Sequence, residues 1–175
     1  EGLYDMVHGV DHSPIRRWGE GEAVKSVGNG MTYPHDLTGE EAWKAGLMPL
    51  CDSVGARLRA QGLKCRTVTV QIKDPSFRVI SRQRTLSAPT NLTKVIFREA
   101  MGILRQCWPP DSPIRLLTVT ASALCPEDEE HPTQLSFFED APSDDPRQAR
   151  LEQAMDEVRR KYGKSSIGTA TPKVE

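Results

Sequence analysis

Hydrophobic and polar positions divide the chain into blocks of two different periods. Residues 24–32 are short and β-rich but interrupted by Gly28 and Gly30, which permit close approach of another backbone. Thr38-Gly-Glu-Glu41 has the form of a capping box, and behind it Trp43, Leu47, Leu50, Cys51, Val54 and Leu58 recur at helical spacing until Gly62. Pro49 lies inside this run and predicts a kink or a late-starting helix. From Arg66 to Lys73 the period falls to two, with Val68, Val70 and Ile72 on one face and Thr67, Thr69, Gln71 and Lys73 on the other. Asp74-Pro-Ser76 predicts a turn, and Phe77–Leu86 a second strand that closes a hairpin. Ser87–Thr90 reads as a loop. Thr90 or Asn91 then caps a helix burying Leu92, Ile96, Ile103, Leu104 and Cys107, which Pro109-Pro110 stops. Between Ile114 and Leu124 alternation returns: Leu117, Val119, Ala121 and Ala123 oppose Thr118, Thr120 and Ser122.

The order is β-α-β-β-α-β, which predicts an α+β fold: a four-stranded antiparallel-type sheet with two helices on one face. Residues 23–125 would form this domain, 1–22 a linker before it, 126–146 a flexible acidic tail, and 147–175 a helix with a disordered end. Asp145-Pro146 starts that last helix, whose apolar face is predicted at Leu151, Met155, Val158 and Tyr162. Isolated, it would be marginal in water, so it is expected to pack on the body or on a neighbouring molecule.

The uncovered face of the sheet would display Thr67, Thr69, Gln71, Lys73, Ser81 or Arg82, Arg84, Thr118, Thr120 and Ser122. Hydroxyls and cations keep such a face soluble without a partner, and they also suit contacts to phosphates. Charge distribution favours the second reading. Overall the chain is nearly balanced, at 23 basic and 24 acidic residues, but from Lys64 to Arg115 ten Lys and Arg face three acids, a net of +7. From Glu127 to Asp145 there are eight acids and no Lys or Arg. A basic body with an acidic tail is a common arrangement in nucleic-acid binders.

Other chemistry finds little support. Cys51, Cys65, Cys107 and Cys125 are far apart with no C-x-x-C, so neither zinc nor a disulfide framework is indicated; Cys51 and Cys107 on apolar helix faces and Cys65 in a strand read as reduced core residues. The four histidines are scattered, and Asp144-Asp145 and Glu127–Glu130 lack a rigid scaffold for a metal. No apolar run has the length of a membrane span, no secretory signal opens the chain, and a cytoplasmic location is expected. Glu1 in place of Met reads as the start of an excised piece of a longer protein.

Gln134-Leu135-Ser136-Phe137-Phe138 stands out in the acidic tail, where Leu and two Phe have no core to join. It resembles the peptide by which bacterial DNA polymerases dock on the sliding clamp. Lys25-Ser26-Val-Gly28-Asn-Gly30, with Thr32 and Asp36-Leu37, is similar to the start of the little-finger domain of Y-family translesion DNA polymerases. Ser81-Arg82 with Arg84-Thr-Leu86, then Pro89-Thr-Asn91, resembles that domain's inner strand and second helix start. Leu3-Tyr4, Gly9, Asp11 and Pro14 resemble the end of the thumb, and the tail through Lys161-Tyr-Gly163 is similar to the DinB-like group. The resemblance implies a portion that grips damaged or template–primer duplex DNA through Lys25, Ser26, Gly28, Gly30, Thr67, Thr69, Lys73, Ser81, Arg82, Arg84, Thr118 and Thr120. It implies clamp docking through Gln134–Phe138. Catalysis, with its Mg ions and carboxylates, would belong to a palm outside this chain, leaving no catalytic residue and no cofactor here. The alternatives are the same domain in a catalytically inactive paralogue acting as an interaction protein, or an unrelated ferredoxin-like module. An RNA-binding sheet would need aromatic residues on the open face, and Phe77 is the one aromatic in the predicted strands.

Overall fold

The computed structural model describes residues 2–12, 14–15, 23–128 and 145–168. Elements follow in the order α1 (Gly2–Val7), β1 (Ser26–Leu37), α2 (Glu40–Ala60), β2 (Leu63–Lys73), β3 (Val79–Thr90), α3 (Thr93–Cys107), β4 (Ile114–Pro126) and α4 (Pro146–Tyr162). The four strands form one antiparallel sheet in the order β1-β4-β2-β3, so β4 enters between the first two strands and closes the sheet's centre.

Helices α2 and α3 pack on one face, as the pattern predicts. Trp43, Leu47, Leu50, Cys51, Val54 and Leu58 of α2 and Ile96, Ala100, Met101, Ile103 and Leu104 of α3 meet Val68, Val70, Ile72, Leu117, Val119 and Ala121 of the sheet in a single core. Gly46 brings α2 down onto β1. A Cβ there would lie 2.6 Å from Leu37 Cδ1 and 2.8 Å from the Tyr33 hydroxyl, which donates to the Gly46 carbonyl at 2.9 Å.

Several local expectations are corrected. The capping box at Thr38 does not form: Gly39 precedes α2 with φ +84°, no side chain caps the helix, and the Gly39 carbonyl accepts from Trp43 N–H instead. The helix does not start late, because Pro49 lies on its exposed side and α2 runs through it. β1 continues past Thr32 to Leu37 through a register shift, burying Tyr33 and Leu37 on the core side. Ser87–Thr90 is strand, with Thr90 opposite Cys65, while Phe77 sits before β3 at φ +65° and is exposed. Neither Thr90 nor Asn91 caps α3. Thr90 Oγ1 accepts from Leu92 N–H, one turn too early, and the cap comes from α4, far along the chain.

α4 packs on the body, but turned from the face its apolar residues predict, so that Met155 and Val158 are only half-buried. Leu151 and Tyr162 point to solvent, and Glu152 is its one buried residue. The apolar stripe gave way to charge pairing: Glu152 and Asp156 reach Arg59 of α2, and Arg159 reaches Asp52.

Candidate nucleic-acid interface

Residues directly opposite one another on paired strands point to the same face, so the register sorts the side chains at the paired positions. Across the order β1-β4-β2-β3, four rows emerge on the open face: Ser26–Ser122–Thr67–Thr85, Gly28–Thr120–Thr69–Gln83, Gly30–Thr118–Gln71–Ser81 and Thr32–Leu116–Lys73–Val79. Interleaved with them, the helix-side rows are Val27–Ala121–Val68–Arg84, Asn29–Val119–Val70–Arg82 and Met31–Leu117–Ile72–Ile80.

Ser26, Gly28, Gly30, Thr67, Thr69, Lys73, Ser81, Thr118 and Thr120 therefore share one surface; the alternation predicts Thr67, Thr69, Lys73, Ser81, Thr118 and Thr120 there, and the register adds Ser26, Gly28 and Gly30. Lys25 precedes β1, exposed, and is not part of the grid. Arg82 and Arg84 are a correction: they lie on the helix side of the edge strand, not among the threonines. The cause is the turn. Asp74 N–H donates to the Arg78 carbonyl and Phe77 N–H to the Asp74 carbonyl, so the hairpin closes with Lys73 opposite Val79. Odd residues of β3 then join the open face and even ones the covered face. Arg84 donates to Glu99 at 3.1 Å and Gln106 at 2.8 Å, both on α3. Arg82 remains exposed at the rim, one nitrogen on the Ser81 carbonyl.

The surface is thus neutral in its middle. Hydroxyls, amides and glycines fill three rows, and Lys73 is the sole charged side chain in the sixteen register positions. Gln83, Thr85 and Thr32 belong to it but were missed as site residues; the alternation of β3, counted from the correct turn, carries the signal for the first two. Gly28 and Gly30 have a packing role. A Cβ on Gly28 would stand 2.9 Å from Thr120 Oγ1, and one on Gly30 only 2.5 Å from Thr118 Oγ1. The glycines make room for the threonine hydroxyls and keep this part of the sheet low. Cations stand around the edge: Arg57 holds the Gly28 carbonyl at 2.8 Å, Arg115 pairs with Asp36, and Arg78 with Asp74.

The chemistry such a surface offers is binding. Burial pushes the Cys65 thiol up to about 12, and burial likewise raises Cys51 and Cys107, so none of these is an activated thiolate. Burial also raises the Tyr33 phenol. No group of three or more His, Cys, Asp or Glu side chains placed to hold a metal occurs among the described residues. Nor is any described helix long and apolar enough to cross a membrane. The peptide Gln134–Phe138 lies outside the described residues.

Comparison with known proteins gives the class. The profile of the impB/mucB/samB family C-terminal domain matches residues 24–137, and the chain belongs to that family. Among curated relatives, DNA polymerase IV of Acetivibrio thermocellus is 35% identical over 168 residues, covering 94% of this chain and 41% of that protein. DNA polymerase IV of Pelotomaculum thermopropionicum is 35% identical over 165 residues, covering 94% and 39% respectively. The chain thus spans about two-fifths of the length of these relatives. A solved complex of a beta-clamp processivity factor with the little finger domain of PolIV is similar at TM-score 0.48 and 18% identity, over 65% of this chain and 99% of that one.

Proposed function

We propose that this chain is the DNA-gripping, non-catalytic C-terminal part of a translesion DNA polymerase, and that it docks on the sliding clamp through Gln134–Phe138. Membership of the impB/mucB/samB C-terminal family and relatives called DNA polymerase IV support the class. The observation that carries the mechanism is the open sheet face: a neutral, low, hydroxyl-rich centre with cations at its border.

A duplex lying on such a face meets no aromatic or charged side chain in the rows of Gly28 and Gly30. Threonine and serine hydroxyls and amides contact phosphate oxygens without reading bases, while Lys73 and the rim arginines neutralise phosphates on either side. The result is grip that is independent of sequence, which a polymerase needs when it moves past damaged bases. Mg-dependent chemistry is assigned to the palm of the parent enzyme, and no residue of this chain is given a part in it.

Anisotropy titration of the chain with labelled template–primer duplexes tests the DNA half. Affinity should vary little between sequences and fall steeply with salt, the slope reporting the number of phosphates neutralised. Equal affinity for duplex at 50 mM and 200 mM salt would refute it. For the clamp half, replacing Phe137 and Phe138 with Ala should weaken binding to a bacterial sliding clamp about 100-fold or more, since each buried Phe contributes about 1.5–3 kcal/mol. DNA binding and Tm should stay unchanged. A Tm that falls with the two rings would place them in a core and overturn clamp docking.

A further inference from the structure

We propose that α4 is a strap that docks on and releases from the domain as a unit, with the Glu152 carboxylate as its latch. Three observations carry this. First, the core is complete without α4: its buried residues, and the apolar side chains packed against them, all come from the sheet, α2, α3 and Trp108 just after α3. Second, the contact itself is ionic. Arg59 of α2, with its side chain 7% exposed, donates to Glu152 Oε2 at 2.5 Å and to Asp156 Oδ2 at 2.7 Å, and Arg159 pairs with Asp52 at 2.9 Å. Third, α4 rests on α2 beside an open groove of about 680 Å³, bordered by Pro49, Ser53, Ala56 and Gln153. A helix joined by a few charged contacts across a gap has a lower opening free energy than elements interdigitated in a core.

Glu152 holds the strap because its carboxylate satisfies several donors at once. Thr93 N–H donates to Oε2 at 2.8 Å and Lys94 N–H to Oε1 at 3.4 Å, in the first turn of α3. Gln148 fixes the same carboxylate from within α4 at 2.9 Å. α3 has no cap of its own, so Glu152 supplies one from 59 positions away, where the helix dipole favours negative charge. Arg59 completes the site by holding the Asn91 carbonyl at 2.8 Å. Docked, α4 returns the chain to the end of the domain where Glu127 N–H is held by the Gly62 carbonyl and Asn91 by the Leu63 carbonyl. Released, it uncovers Arg59 and the first amides of α3.

Residue-resolved amide exchange on the whole chain tests the strap. In the wild type, α4 amides should exchange at least about 100-fold faster than those of β2 and β4, yet slower than unstructured chain. Glu152→Ala should bring α4 close to unstructured rates and speed exchange in the first turn of α3, leaving β2 and β4 within a few-fold of wild type. Leu151→Ala, on the outward face, should leave α4 protection unchanged. Equal protection of α4 and the sheet in the wild type would show that it opens only with the whole domain and overturn the proposal. So would a Glu152→Ala variant whose α4 protection is unmoved, or whose sheet loses protection in parallel.

Discussion

The two faces of the same four strands obey opposite rules. On the helix side, large apolar residues of neighbouring strands stand beside one another and exclude water: Leu117 beside Ile72, Val119 beside Val70, Ala121 beside Val68. One position further along, the open side carries Thr118 beside Gln71 and Thr120 beside Thr69, with glycines where a side chain would crowd them. Stability resides in the first set, and the second is the surface proposed to meet DNA, although their residues alternate along one backbone. Because the period is two, a one-residue slip would exchange the two roles completely.

The sharpest test of this division is a pair of neighbours. Leu117→Ala should cost about 2–5 kcal/mol, the range for a buried Leu that leaves a cavity. Thr118→Ala should stay within about 0.5 kcal/mol, as a substitution away from the core does. Chemical denaturation of both variants measures the contrast. Similar losses at the two positions would mean that the open face is itself a packed surface.

The core side was legible in the sequence because its signal is repeated. Six apolar residues of α2 and the alternation in β2 and β4 each point to the same face, and all of them are buried there except Ala123, which is exposed at φ +51° near the end of β4. The open face was legible where a strand alternated cleanly, in β2 and β4. It failed in β3, where the phase depended on one turn. Asp74-Pro-Ser76 marks a turn but not its length, and the extra residues through Arg78 shifted Arg82 and Arg84 to the other side. Long-range pairings left no periodic trace at all. Nothing local to Thr93 shows that its helix is capped by Glu152, or that α4 docks through Arg59 and not through Leu151.

A second test probes why the open face is low. Gly30→Ala places a methyl against Thr118 Oγ1, and overpacking of this kind costs about 1–3 kcal/mol. Adding Thr118→Ala should recover part of the loss, with the remainder due to the Leu117 carbonyl, 3.2 Å from the new Cβ. A double variant no more stable than Gly30→Ala alone would show that glycine serves the backbone conformation and not the hydroxyl.

The rim distinguishes arginines by what they already hold. Arg82 has one backbone carbonyl for a partner, whereas Arg84 is engaged by Glu99 and Gln106 on α3. Arg82→Ala and Lys73→Ala should each lower the salt slope of duplex binding by about one phosphate contact. Arg84→Ala should change the slope less and stability more, because Glu99 then keeps Arg98 alone. If Arg84→Ala lowers the slope as far as Arg82→Ala does, its guanidinium leaves α3 to meet DNA.

The smallest expected effect falls on the turn that sorts the two faces. The Asp74 carboxyl is held below the usual range chiefly by the Ser76 hydroxyl at 2.7 Å, aided by Arg78 N–H at 2.9 Å and the Arg78 charge. A depressed folded-state pKa stabilises the fold above the unfolded value, about 3.9, and that contribution disappears as pH falls through the folded value. Asp74→Asn keeps an acceptor oxygen but removes the charge. Its Tm should therefore lie slightly below wild type at pH 7, and the gap should narrow as pH drops below about 4. Thermal melts from pH 7 to pH 2 measure this. A gap constant across that range would mean that hydrogen-bond geometry alone, without the charge, fixes the turn and with it the phase of β3.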